Sequence, residues 1–169
     1  GNLMILNFDA KIIKTELKLL KRFGAKIKTH KEKIIIKGPE KIRSVQNIKT
    51  KEYPGVATDL QSQIMVLMCK ANGKSSITEN IFENRFMHVA ELRRLGAKID
   101  LKNNKAHISG NTNFIGAELM SSDLRASASL VLAAIVSKGK SIINRIYHLD
   151  RGYENIEHKL KKIGVKIKR

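Results

Sequence analysis

The chain reads as an α/β (α+β) domain that repeats one βαβαββ unit, with apolar helices buried inside and the first unit incomplete. Three observations predict this. The block Leu92-Arg93-Arg94-Leu95-Gly96-Ala97-Lys98-Ile99 returns as Leu160-Lys161-Lys162-Ile163-Gly164-Val165-Lys166-Ile167, with an earlier echo in Leu20-Lys21-Arg22-Phe23-Gly24-Ala25-Lys26-Ile27. Two long apolar runs open on the same pair, Asp59-Leu60 and Asp123-Leu124. Each run is followed by a short strand-like stretch and then an apolar stripe at helical spacing. The period, roughly 70 residues, exceeds that of a simple solenoid repeat. The copies therefore belong inside one domain over 1–169: a partial unit over 1–50, a second unit over about 51–115 and a third over about 116–169.

In the first unit, residues 3–8 predict a strand. Ile13, Leu17, Leu20 and Phe23 mark one face of an amphipathic helix, and residues 25–38 read as a hairpin. No all-apolar helix precedes them. The chain is thus expected to begin in mid-unit, and its core to show an exposed apolar flank that invites self-association.

The second unit holds the missing piece. Thr58 is the expected N-cap of a helix over 59–71. Leu60, Ile64, Met65, Val66, Leu67, Met68 and Cys69 cover nearly all its sides, and a helix apolar all round is buried all round. Gly73 ends it. A strand is expected over 76–82. Phe86, Val89, Leu92 and Leu95 then mark an amphipathic helix ended by Gly96, and 97–110 read as a hairpin turning at Asn103-Asn104.

The third unit repeats the order. Ser122 is the expected cap of a helix over 123–136, rich in Ala126, Ser127, Ala128, Ser129, Ala133 and Ala134, which suits close helix packing. Gly139 ends it, a strand follows over 141–147, and Tyr153, Ile156, Leu160 and Ile163 form the last stripe. The chain stops inside the strand expected to begin the final hairpin.

A chain of 169 residues can bury one sizeable core. Its longest apolar run, Leu130 to Val136, is far short of a bilayer span, so no membrane partner is expected. A single cysteine excludes an internal disulfide and fits a reducing compartment. With no leader-like start, cytoplasm is the expected location. The net charge of +18 would suit a nucleic-acid-binding module. However, the lysines are spread along the chain. The five phenylalanines and three tyrosines form no stacking platform, so no nucleic-acid partner is expected.

The candidate chemistry lies at matching element ends. Asp59 and Asp123 each stand at the first turn of a buried helix. Each either answers the helix dipole or lies in an anion-attracting cleft, where it can act as a general base. Arg85 and Arg151 follow matching strands, and Arg125 opens the third unit's buried helix. Guanidinium groups so placed suit phosphate or carboxylate, which they bind bidentately. The histidines and Cys69 have no metal-ligand spacing, so neither metal nor cofactor is expected. Ser127 and Ser129 lack a nucleophile-elbow context, and no phosphate-binding glycine motif appears.

Four segments together resemble the enolpyruvyl transferases. They are Thr58-Asp59-Leu60-Gln61, Ile81-Phe82-Glu83-Asn84-Arg85-Phe86-Met87-His88-Val89, Ser122-Asp123-Leu124-Arg125-Ala126-Ser127-Ala128-Ser129-Leu130 and Arg145-Ile146-Tyr147-His148-Leu149-Asp150-Arg151-Gly152-Tyr153-Glu154. The likeness runs from about residue 3 to the end, and it is to the branch acting on a UDP-sugar rather than to the shikimate branch. It implies an inside-out α/β barrel of such units with helices in the core. It also implies transfer of enolpyruvyl from phosphoenolpyruvate to the 3-hydroxyl of UDP-N-acetylglucosamine, the first committed step of peptidoglycan synthesis. By this resemblance Asp59 is the base near the hydroxyl, and Arg151 holds the phosphoenolpyruvate anion. Ile81 lines the nucleotide-sugar site through its backbone. Arg85 and Arg125 add positive field, and Asp123 lies beside the reacting carbons. The family's acid cysteine stands on another domain and Cys69 does not match it. A missing N-terminal domain or partner segment is therefore expected, and the chain alone is expected to be inactive.

Overall fold

The computed structural model describes residues 1–169. The chain opens with β1 (Asn2–Leu6), α1 (Lys14–Arg22), β2 (Lys26–His30) and β3 (Lys33–Lys37). These strands form an antiparallel sheet in the order β1-β3-β2. Leu17 and Leu19 are buried on different sides of α1, and Leu19 with Phe23, one turn on, joins the unit to the core. Gly24 then adopts φ +105°, a conformation open to glycine, and Ala25 N–H reaches back to Leu20 O at 3.0 Å.

The second unit runs through β4 (Ile48–Lys49), a 3-10 turn (Thr58–Leu60), α2 (Gln61–Lys70), β5 (Lys74–Thr78), α3 (His88–Arg94), β6 (Lys98–Lys102) and β7 (Lys105–Ser109). Its sheet has the order β4-β5-β7-β6, with β4 parallel to β5 and the other pairs antiparallel. Ile77 lies opposite Ala106, and Ile99 opposite Ile108, all four turned into the core. Lys98, Asp100 and Lys102 point outward from β6. The sheet is thus wet on one face and backed by helices on the other. The hairpin turns at Asn103-Asn104, with Asn103 at φ 54°.

The third unit comprises β8 (Glu118–Met120), α4 (Leu124–Ile135), β9 (Ile142–Asn144), α5 (Tyr147–Asp150) and α6 (Ile156–Lys162). β8 and β9 pair in parallel, so α2 and α4 are the crossovers of two equivalent βαβ units. α4 packs against α2 and α3. Its small residues allow that approach, and Ser129 settles its hydroxyl on Ala126 O at 2.7 Å. The repeated blocks also end alike. Ala97 N–H bonds Leu92 O and Gly96 N–H bonds Arg93 O, while Val165 and Gly164 make the matching bonds to Leu160 and Lys161. This double bond is the Schellman motif, whose left-handed residue is glycine; Gly96 has φ +100° and Gly164 φ +93°.

One core unites the units: Phe23, Met65, Met68, Ile77, Leu92, Leu95, Phe114, Leu119 and Leu130 belong to a single buried cluster. No helix is long and apolar enough to cross a membrane.

Several sequence expectations need correction. Thr58 does not cap α2. It sits in the 3-10 turn and donates its hydroxyl to Glu79. Ser122 does not cap α4; Asp123 does, because its extended backbone turns the carboxylate onto the first free N–H groups. The strand expected over 76–82 ends at Thr78, where the Glu79 side chain captures the following amides. The strand expected over 141–147 shortens to β9, and Tyr147 begins a helical turn. No strand forms after Gly164. Burial of α4 is one-sided, with Leu132 and Ile135 exposed and Val136 exposed just past its end, where a helix buried all round was expected. The three sheets stay separate in their hydrogen bonding, so no barrel closes.

Candidate functional site

The two βαβ crossovers bring the N-terminal ends of α2 and α4 to one cavity of about 650 Å³. Gln61 and Ser62 from α2, and Ser122 to Ala126 around the start of α4, form two walls. The loop between β5 and α3 supplies Arg85, the start of α3 supplies His88, and the segment after β9 supplies His148 and Arg151. Ser62 Oγ donates to Arg125 O at 3.0 Å, and Gln63 Nε2 donates to Tyr153 Oη at 3.3 Å, which locks the second unit to the third.

The two aspartates differ. Asp123 Oδ1 accepts from Arg125 N at 2.9 Å and Ala126 N at 3.0 Å, as an N-cap carboxylate does. Asp59 meets no helix amide. Arg125 binds it as a fork, with Nε to Oδ1 at 2.9 Å and Nη2 to Oδ2 at 2.7 Å, and Arg85 Nη2 adds a contact to Oδ1 at 2.9 Å. These charge-assisted bonds, first Arg125 and then Arg85, hold the Asp59 carboxyl below the usual aspartate range against its partial desolvation. Asp59 in turn raises Arg125. Phe82 supports Arg85 from behind, with its ring 5.0 Å from the guanidinium carbon. Arg151 makes no ion pair and lines the same cavity, so its charge is open to an anion.

His88 is buried in the cavity wall, with Nε2 3.3 Å from Met65 Sδ. Burial pushes its imidazole down to about 4, against the pull of Asp123. It is neutral at neutral pH. Cys69 is fully buried, away from the cavity, and desolvation pushes its thiol up to about 12.

Arg85, Arg125, Arg151 and Asp123 therefore line one cavity, and Asp59 is tied to it through two of those arginines. Ile81 lies outside the lining. Its N–H is taken by Glu79 Oε1 at 2.8 Å, so only its carbonyl is left for a ligand. Sequence reasoning missed Gln61, Ser62, His88 and His148, which carry no spacing signal of their own, and Glu79, whose role depends on two distant hydroxyls meeting two local amides. Two helix N-termini and three guanidiniums on one cavity make a site for anionic groups.

The fold is that of the enolpyruvyl transferases. The enolpyruvyl transferase NikO from Streptomyces tendae matches with a TM-score of 0.87 and 27% identity, over 99% of this chain and 39% of its own. EPSP synthase from Acinetobacter baumannii shares the fold alone, with a TM-score of 0.82 at 16% identity, over 100% of this chain and 43% of its own. A family model described as EPSP synthase (3-phosphoshikimate 1-carboxyvinyltransferase) matches residues 1–160, and the chain belongs to that family. Within it, the chain is 63% identical over all 169 residues to the UDP-N-acetylglucosamine 1-carboxyvinyltransferase of Pelagibacter ubique (strain HTCC1062). It is 49% identical over 169 residues to the enzyme of that name from Desulfosudis oleivorans. It spans 40% of the length of each.

Proposed function

We propose that this chain forms part of a cytoplasmic transferase that moves the enolpyruvyl group of phosphoenolpyruvate onto the 3-hydroxyl of UDP-N-acetylglucosamine, serving peptidoglycan synthesis. The observation that carries this reading is the convergence of Arg85, Arg125 and Arg151 on the cavity at the two helix starts. The 63% identity to an enzyme of that name supports the choice of sugar nucleotide.

In the addition step the sugar oxygen bonds to C2 of phosphoenolpyruvate while C3 gains a proton. In the elimination step C3 loses a proton and the C2–O bond to phosphate breaks. The carboxylate and phosphate of the substrate need cationic clamps throughout. Arg151, which has no ion pair, takes one of these anionic groups. Arg125 and Arg85 are engaged with Asp59. A substrate anion that draws those guanidiniums away leaves the Asp59 carboxylate free to take the hydroxyl proton. Asp123 stands beside the reacting carbons while capping α4, and the Ile81 carbonyl meets the nucleotide sugar. The acid that protonates C3 comes from outside these residues, so the chain alone does not turn over. The charge of +18 belongs to scattered lysines and does not mark a nucleic-acid interface.

The test is a full-length chimera in which this chain replaces the matching segment of the Pelagibacter relative. Phosphate release that requires both phosphoenolpyruvate and UDP-N-acetylglucosamine is expected. In that chimera Arg151→Ala raises the KM for phosphoenolpyruvate much more than that for the sugar nucleotide. Equal effects on both would overturn the assignment of Arg151. Turnover by the isolated 169-residue chain would overturn the dependence on other segments.

A further inference from the structure

Glu79 is 2% exposed and has no ion pair, an unusual state for a carboxylate. Four neutral donors satisfy it. Thr50 Oγ1 and Ile81 N–H reach Oε1 at 2.8 Å, and Phe82 N–H reaches it at 3.2 Å. Thr58 Oγ1 reaches Oε2 at 2.9 Å. Its backbone is held too: its N–H donates to Asn104 O at 2.8 Å, and Asn104 Nδ2 donates to its carbonyl at 3.0 Å. The hairpin turn of the second unit thus anchors Glu79, and Glu79 grips Thr50, Thr58 and the Ile81-Phe82 stretch. Thr58 directly precedes Asp59. Phe82 is the ring beneath Arg85. Both partners of the Asp59–Arg85 ion pair are suspended from one buried carboxylate.

We propose that Glu79 is a positioning residue that sets Asp59 against Arg85 and Arg125 and fixes the backbone of Ile81 and Phe82. This rests on the transferase reading above for its functional meaning. A base displaced by about 1 Å can lose on the order of 10² in rate. The hydrogen-bond pattern makes a specific demand. Glu79→Gln can keep three donors on its Oε1 and donate its amide to Thr58 Oγ1, whose hydroxyl then turns. Glu79→Ala loses all four bonds. Thr58→Val cuts the link to Asp59 and removes one of the four donors, the one on Glu79 Oε2.

The experiment uses the full-length chimera. Glu79→Ala should lower kcat on the order of 100-fold, and Glu79→Gln should recover most of that loss. Thr58→Val should lower kcat about tenfold with KM values little changed, and should lower the thermal midpoint less than Glu79→Ala does, because it leaves only Glu79 Oε2 without a donor. It should also move the acid limb of the kcat/KM profile, which reports the free enzyme, to higher pH, because Asp59 slips from the guanidiniums that hold its carboxyl low. The same upward move should appear in a 13C titration of the Asp59 carboxyl, which needs no turnover. Wild-type kcat in Thr58→Val, an Asp59 titration that does not move, or Glu79→Gln as impaired as Glu79→Ala would each overturn the proposal. An unsubstituted chimera without activity would count against the transferase reading, and the carboxyl titration would still decide the role of Glu79.

Discussion

Asp59 and Asp123 open the two buried helices with the same aspartate-leucine pair, yet their carboxylates answer to different partners. Asp123 is bound by its own helix, through the amides of Arg125 and Ala126. Asp59 is bound by side chains from two other places in the chain, Arg85 and Arg125. Freeing Asp123 would uncap α4. In the mechanism proposed above, Asp59 is freed by a substrate anion that competes for its two guanidiniums. Equivalent positions in a repeat have thus diverged into a structural carboxylate and a releasable one.

The largest effect that tests this contrast is on turnover. Asp59→Asn in the chimera should lower kcat by roughly 10²–10⁴, the range for a positioned acid–base group, while leaving the unfolding midpoint nearly unchanged. A loss smaller than tenfold in steady-state assays would remove Asp59 as the base.

A second test uses His88, which lies between the two helix starts. Its pKa is lowered from 6.5 to about 4 in the folded chain. The unfolded chain therefore binds more protons between those values, so folded stability should fall as the pH drops from 6.5 towards 4. The loss is at most about 3 kcal/mol. Urea titrations across that range should show the slope, and His88→Gln should flatten it. An unchanged slope would mean that other groups dominate.

Capping is smaller. Asp123→Ala should destabilise the chain by about 1 kcal/mol, and Asp123→Asn much less, because asparagine also caps. If Asp59→Ala proved the more damaging to stability, the assignment of structural and releasable roles would be reversed.

The smallest effect is the ion pair's own stability contribution, below about 1 kcal/mol for a half-exposed carboxylate. Because the folded pKa of Asp59 is lowered, this contribution is complete above the ordinary value of 3.8 and is lost as pH falls through the lowered one. Added salt should weaken it at neutral pH. A salt-independent difference between the chain and its Asp59→Ala variant would contradict the pairing.

Much of the fold was legible because it rests on local rules. The glycine ends of α1, α3 and α6, the Asn103-Asn104 turn and the apolar course of α2 follow from spacing and conformational preference and appear where expected, whereas α2 and α4 end ahead of Gly73 and Gly139, at Lys70 and Ile135. Two of the errors fall where a side chain competes with the backbone. Glu79 ends β5 early by taking the amides of Ile81 and Phe82, and it draws Thr58 away from capping. The arginines were legible as candidates because they recur at matching ends. Their partners were not, since a salt bridge between residues 59 and 125 leaves no mark on local pattern.

By itself the sequence determined the repeat, the order of its elements and the residue types available for anion chemistry, because the repeat is read directly along the chain and glycine placement and apolar spacing act over a few residues. The tertiary structure alone decided which aspartate caps a helix and which is held by arginines. It also decided that a buried glutamate holds both halves of that ion pair. Those outcomes depend on distances between segments far apart in the chain, and only the packing of α2 against α4 brings them together.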